Sequence, residues 1–336
     1  MELVTGGTGI VGAHVLLELV TTGRSVRALQ RPGTDGSVVE RIFSHYRPDA
    51  KALLDRIHWV PGDILDMPSL ADAMVGVTHV YHAAAMVSFD PRDARHMQKV
   101  NVEGTANVVN AALEAGVRRL CHVSSVATIG EGRKGEPRHE GLQWQADGNT
   151  SAYALSKYEA EMEVMRGIAE GLDAVMVNPC VILGPGIPGR SSMTLVERLA
   201  KGTRFYPAGS NAVVDARDVA SAVVTLMEHG ASGERYILAG ENLGYKQLFG
   251  LLAKAFGRPE PSYPLPAWAL QLAWRAERIR TTLFGGRAFV TQSTVHTALS
   301  QKSYDASKAQ RAGITFRTAE QAVANVAAFV KASAAH

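Results

Sequence analysis

The feature that most limits what this chain can become lies in its first dozen residues. An apolar run, Leu3-Val4-Thr5, passes directly into Gly6-Gly7-Thr8-Gly9, and an amphipathic stretch from about Ile10 to Thr22 follows and stops at Gly23. A second apolar run, Val26 to Leu29, completes a strand, helix, strand unit. Gly7, Gly9 and Gly12 stand at the spacing of a dinucleotide-binding turn. Such a turn needs one glycine for the bend, one for close approach of backbone to a pyrophosphate, and one for packing helix on strand. Backbone N–H groups from Gly6 and Thr8 through Gly9, Ile10, Val11 and Gly12 are expected to face that anion.

An acid at the end of the second strand would hydrogen-bond the adenosine ribose. Here Gln30 and Arg31 occupy the place. A missing carboxylate and an added guanidinium favour NADP over NAD, because arginine pairs with phosphate through charge-assisted bonds; NAD stays as the alternative.

Strands and helices go on alternating: Ile57 to Val60, a short helix near Ser69 to Met74, His79 to Ala83, a long helix from about Ala94 to Ala115, and Leu120 to Ser124. Repeated βα units with apolar strands imply a parallel sheet covered on both faces. The expected class is therefore α/β, a Rossmann-type doubly wound parallel sheet over residues 1–178. A smaller C-terminal α+β substrate lobe is expected over 179–336, with some of its segments returning to the Rossmann core. Asp63, with Ile64 beside it, follows the third strand in position to reach an adenine amino group. Ala83-Ala84-Ala85 after the fourth offers a small-residue wall for a flat cofactor.

Composition closes off other classes. With 46% apolar and 20% charged residues and no repeat, the chain reads as globular; its formal charge of +3 is interspersed with acids and offers no stripe for nucleic acid. No apolar run reaches the roughly 20 residues of a membrane span, and Met1-Glu2-Leu3-Val4 carries no basic leader, so a cytoplasmic location is expected. Cys121 and Cys180 each sit in an apolar run and read as buried thiols, with neither a disulfide framework nor a metal site expected.

After Thr150 a helix begins at about Ser151 and carries Tyr153 and Lys157 on one face, one turn apart. A lysine ammonium ~4 Å from the phenol, at an effective dielectric of 20, is worth about 4 kcal/mol, nearly three pKa units. That shift would bring tyrosine into the range useful for general acid/base chemistry. Ser125 stands at the C-terminal end of the fifth strand, where ligands of open parallel sheets bind, and its hydroxyl could hold a substrate oxygen against Tyr153.

These residues together resemble an extended short-chain dehydrogenase/reductase of the NAD-dependent epimerase/dehydratase superfamily. The resemblance is carried by Thr5 to Gly12, His82-Ala83-Ala84-Ala85, Asn101-Val102-Glu103-Gly104-Thr105, Ser124-Ser125, Tyr153 to Lys157, and Asn178-Pro179 followed by Gly184-Pro185-Gly186. It implies Tyr153 as acid/base, Lys157 as the group that lowers its pKa and binds the nicotinamide ribose, and Ser125 as the group that polarises the substrate oxygen. Asn101 and Pro179 would support the cofactor side. Of the paired serines, Ser125 lies five residues before Gly130, the family's spacing. The resemblance also implies a homodimer packed through the Ala94–Ala115 and Ser151–Gly171 helices.

Beyond Val177 the rhythm is lost, with a Gly/Pro-rich loop at Gly184 to Gly189, a short strand at Arg235 to Leu238 and helices near Ala216 to Glu228, Leu265 to Ile279 and Ala319 to Val330. Val87-Ser88-Phe89 and the aromatic helix with Trp268 and Trp274 are similar to dihydroflavonol reductases and β-hydroxysteroid dehydrogenases. Met86, Ser88, Phe89, Asn178 and Arg217 are the expected substrate contacts. The leading reading is an oxidoreductase of a small-molecule ketone or aldehyde and its alcohol. A sugar or sugar-nucleotide epimerase or dehydratase holding NAD competes with it. Many such enzymes carry an arginine seven residues before the acid represented here by Asp218; this chain has Asn211, with Arg198, Lys201, Arg204 and Arg217 as substitutes. A cofactor-sensing protein without catalysis is the third reading, opposed by the intact Ser125, Tyr153 and Lys157.

Two segments admit two readings each. Trp268, Leu272, Trp274, Leu283 and Phe284, in the 265–289 stretch, either line a pocket or form ordinary helix packing. Arg275, Arg278 and Arg280 make that stretch either a membrane-surface contact or a solvated basic face. The Glu131–Asn149 loop is either a lid or an idle loop.

Overall fold

The computed structural model describes residues 1–334 apart from Lys134, Arg287 and Phe289. In chain order its strands are β1 (Glu2–Thr5), β2 (Val26–Gln30), β3 (Ile57–Pro61), β4 (His79–His82), β5 (Arg119–Val123), β6 (Ala174–Pro179), β7 (Val181–Leu183), β8 (Phe205–Pro207), β9 (Ser210–Asp215), β10 (Arg235–Leu238), β11 (Glu241–Gly244) and β12 (Tyr263–Leu265). The helices of the first half are α1 (Ile10–Thr21), α2 (Ser37–Tyr46), α3 (Ala50–Leu54), α4 (Met67–Met74), α5 (Ala94–Gln98), α6 (Gly104–Glu114) and α7 (Ala152–Ala169). Those of the second half are α8 (Ser191–Ala200), α9 (Ala216–His229), α10 (Tyr245–Ala255), α11 (Ala267–Phe284), α12 (Gln292–Leu299), α13 (Ser307–Arg311) and α14 (Ala319–Ala334).

Seven parallel strands form the central sheet in the order β10-β6-β5-β4-β1-β2-β3. The order reverses at β1, so a crevice opens between the C-terminal ends of β1 and β4, the place where doubly wound sheets bind ligands. Both faces are covered. Val4, Tyr81, Cys121, Val175 and Val177 pack with α1, α2 and α9, whereas Leu3, Val80, Leu120, Ala174 and Met176 pack with α4, α6 and α7. Alternate residues of each strand thus serve opposite layers, and β6 is buried along its whole length, which explains why these strands read as continuous apolar runs.

The expected fold class holds. Beyond residue 179, β10 crosses back to pair with β6, and α9 and α14 join the α1 layer. What remains of the lobe is the three-stranded sheet β11-β9-β7, the pair β12-β8, and α11 and α12. The long helix expected from Ala94 to Ala115 is a single rod with a π-helical turn, Lys99–Glu103, between α5 and α6. Asn101 sits in that turn, and such insertions are frequent at functional sites. Among the described residues no helix is long and apolar enough to cross a membrane.

Candidate active site

The glycine turn divides its work differently from the spacing argument. The positive φ falls on Gly6, at +71°, and a Cβ there would lie 2.6 Å from the backbone nitrogen of Ala84. Gly6 is thus what lets β1 and the Ala83-Ala84 wall approach. A Cβ on Gly12 would lie 2.1 Å from the Gly6 carbonyl oxygen, so the helix seats directly on the bend. Gly9 caps α1 with no side-chain hydrogen bond, and no acid stands in the first turn. The N–H groups of Ile10 and Val11 are left for an anion, and the cradle fits a pyrophosphate.

At the outer end of β2, Gln30 donates its amide to the Thr34 carbonyl, closing the loop at 3.0 Å. Arg31 is exposed there and borders a shallow hollow of about 270 Å³ with Thr34, Trp59 and Pro61; no carboxylate is among the residues that line it. Asp63 spends Oδ1 on the Leu65 N–H at 3.0 Å. Ile64 is buried against Gly104, so only its backbone is available to a ligand.

Ser125 follows β5 and caps a short 3₁₀ turn, Val126–Thr128, accepting from the Ala127 N–H. Its hydroxyl lies close enough to the Tyr153 phenol to favour the phenol's ionised form, and the Phe89 and Tyr153 rings meet edge-on, centroids 5.9 Å apart. Ser151 caps α7 by accepting from the Ala154 N–H, which sets Tyr153 in the first turn facing Ser125.

Lys157 departs from expectation. Its ammonium donates to the Val123 carbonyl at 2.9 Å and meets His122 Nε2 at 3.3 Å, so it is turned into the sheet. Burial, offset in part by Glu161, lowers it to about 8. Tyr153 is shifted the opposite way from the sequence argument: burial pushes the phenol above its ordinary value, and the Ser125 hydroxyl offsets only part of that. Spacing on a helix decides which face two side chains share; it does not decide where a four-carbon stem ends.

Asn101 donates to the Met86 carbonyl and to Ser156 Oγ, both at 3.0 Å, and accepts from the Met86 N–H at 2.7 Å. It fastens the loop after β4 to α7, which keeps Met86 and Phe89 near Tyr153. Ser88 turns to Asp93 instead. Asn178 was expected to touch substrate, but it is fully buried and gives its amide to the Ser125 carbonyl, Thr128 and Glu161. Its place is behind Ser125. Arg217 is likewise removed from the site: it grips Asp215 through two bonds and lies over the Tyr46 ring, between α9 and α2. Pro179 ends β6, buried beside Leu238.

A model of the NAD dependent epimerase/dehydratase family matches residues 2–239. The chain belongs to that family. It is 34% identical to the putative dihydroflavonol 4-reductase of Synechocystis sp. over 96% of this chain and 92% of that protein. It is 32% identical to sterol demethylase protein B of Methylococcus capsulatus over 80% of this chain and 78% of that protein. The crystal structure of gox2253 superposes with a TM-score of 0.81 at 31% identity, covering 99% of this chain and 98% of that one. UDP-glucose 4-epimerase of Thermotoga maritima, at 20% identity and a TM-score of 0.76 over 99% of each chain, shares the fold. The chain is thus an extended short-chain dehydrogenase/reductase with an NAD(P)-binding fold, and its relatives include reductases.

In this family member the sequence reading missed the buried layer behind the site. Glu161, one turn beyond Lys157, accepts from Thr128 at 2.7 Å and Asn178 at 2.6 Å, with Arg235 at 3.4 Å. His82 bridges Thr5 and Thr105 at 2.7 and 2.9 Å, tying β1 and β4 to α6. His122 lies between His82 and Lys157, held well below its ordinary pKa by burial and by the Lys157 charge. The available signal was the i, i+4 continuation Tyr153, Lys157, Glu161, which puts a second charge on the face turned to the sheet.

The Glu131–Asn149 loop fits neither expected reading. Arg138 pairs with the 303–305 segment through two backbone bonds of 2.8 Å, Glu140 accepts from the Ile237 N–H, and Trp144 donates to the Ala127 carbonyl while stacking on Tyr158. It is a strap that joins the lobe to β10 and α7.

Proposed function

We propose that this enzyme is an NADP-preferring oxidoreductase that interconverts a ketone or aldehyde and an alcohol on a medium-sized organic substrate. The observation that carries the reading is Tyr153 brought beside Ser125 at the C-terminal end of the sheet, with an aromatic ring, Phe89, edge-on to the phenol. A bound nicotinamide supplies or accepts the hydride. Ser125 and Tyr153 hold the substrate oxygen between them, and Tyr153 gives it a proton in reduction and removes one in oxidation. Because burial raises the phenol, its resting form carries the proton, which suits carbonyl reduction at neutral pH. Lys157, whose ammonium rests on the Val123 carbonyl, serves the cofactor ribose only by leaving that carbonyl, and Glu161 and Asn178 fix the backbone that carries Ser125.

Arg31 beside the hollow at the end of β2 supports the NADP preference. The names of the relatives, a dihydroflavonol reductase and a sterol demethylase protein, support a bulky and rather apolar substrate. Asn211 counts against a diphosphate substrate: it brings no charge and its carboxamide oxygen accepts from the Ala212 N–H. Arg217, offered as a substitute, is neutralised by Asp215. The exposed Leu155, Met162 and Met165 on α7 support the dimer face that the family implies.

Titration with NADPH and NADH, followed by turnover of aromatic and steroid ketones, tests the proposal. Tighter NADPH binding, weakened roughly tenfold by Arg31→Ala with NADH unaffected, is the expected result. Conversion of a sugar nucleotide without net cofactor turnover would replace it.

A further inference from the structure

Helix α11 is 18 residues long and buries none of them. Trp268, Leu272, Ile279 and Leu283 are 58% to 70% exposed. They stand four, seven and four residues apart, so they form one stripe along one side of the helix. Leu270 and Trp274, on the other side, are half-buried, and the helix packs against α12. The two rings just ahead of it, Phe205 and Tyr263, face each other at 6.0 Å and are themselves at least half exposed. Single exposed apolar residues are ordinary, but a contiguous set of this size marks a contact surface.

Charge decides what it contacts. Arg275 falls within the stripe, midway between Trp268 and Leu283, and Arg278 lies beside it; both are exposed. The helix carries a single acid, Glu277, which pairs with Arg280. If the stripe met itself in a second copy, two-fold pairing of antiparallel helices would set the two Arg275 side chains against each other, an opposed pair of like charges in an apolar seam. An anionic lipid surface has no such conflict. Tryptophan and leucine enter the headgroup boundary while the arginine stems lie along it and their guanidinium groups reach the phosphates.

We propose that α11 is an interfacial helix that docks the protein, reversibly and without spanning, on membranes containing anionic lipid. The chain just beyond its C-terminal end is tied to the loop that carries Phe89: Asp90 accepts from the Ala288 N–H at 3.2 Å. Docking therefore brings the site's rim to the lipid surface. The inference does not depend on which reaction the site performs.

Co-sedimentation of the full-length protein with vesicles of phosphatidylcholine, or of phosphatidylcholine mixed with phosphatidylglycerol, tests it, with size-exclusion chromatography alongside. The expected result is binding to the mixed vesicles, weaker on phosphatidylcholine alone and in high salt. A Trp268→Ser, Ile279→Ser double variant should lower it at least tenfold, with cofactor binding and thermal unfolding unchanged. Arg275→Glu with Arg278→Glu should abolish the preference for anionic lipid. Three results would each overturn the proposal: no binding to either vesicle, equal binding by the double serine variant, or a wild-type dimer that the double serine variant converts to monomer.

Discussion

Helices α7 and α11 are both 18 residues long and are treated in opposite ways by the fold. The first buries Ser156, Lys157, Ala160, Glu161, Val164 and Gly167, two of them charged, while leaving Leu155, Met162 and Met165 exposed. The second exposes tryptophan, leucine and isoleucine and buries nothing. Hydrophobicity alone does not rank the two. What differs is what lies opposite: α7 faces β5 and β6, whose carbonyls and polar side chains satisfy its charges, whereas α11 packs mainly on α12 among the described residues.

The largest expected effect separates the two helices by function. Tyr153→Phe should lower turnover about 10²- to 10⁴-fold in steady-state assays while leaving cofactor affinity nearly unchanged. A Tyr153→Phe variant as active as the wild type would remove α7 from the chemistry. Next is Glu161→Leu, which leaves Thr128, Asn178 and Arg235 without their shared acceptor. Urea unfolding should show a loss of about 3 kcal/mol, and a loss below about 1 kcal/mol would mean that the buried charge is not holding the wall behind Ser125.

A smaller effect depends on pH. Lys157 is lowered by burial to about 8, from an ordinary 10.5. Across that interval the unfolded chain keeps the lysine proton and the folded chain has released it, so stability rises with pH there and is flat below. Relative to Lys157→Met, the wild type should gain about 2 kcal/mol by pH ~9.5, read from denaturation midpoints. Above about 10 the raised phenol of Tyr153 acts in the opposite direction, because the unfolded chain loses that proton first. A flat difference between the two proteins would place the ammonium in water. The smallest effect belongs to α11: Trp268→Ser and Ile279→Ser should each change stability by less than about 0.5 kcal/mol, and a larger loss would mean that the helix is packed.

Most of the cofactor half was legible because its determinants are local. Gly6 to Gly12, the alternation of apolar strands with helices, and the Tyr153–Lys157 spacing each declare themselves within a few residues. Asn178 and Arg217 were placed on the substrate, the first with the Asn178-Pro179 motif of the resemblance and the second as a charge that could replace the arginine missing at Asn211. Their actual partners are Glu161, from α7, for the first and Asp215, two residues away and wholly buried, for the second. A titratable group goes where its opposite is, and a linear pattern shows only the group.

The sequence by itself determined the α/β class, the glycine cradle and the helix face that Tyr153 and Lys157 share, since these follow from backbone sterics and helical period. Only the tertiary structure decided that Lys157 bonds to Val123 and His122, that Glu161 joins Thr128 to Asn178, that the 131–149 segment is a strap, and that α11 buries none of its residues. The physical reason is that desolvation and charge pairing depend on what distant segments bring into contact, and these contacts join groups as far apart in sequence as Arg138 and Asp305.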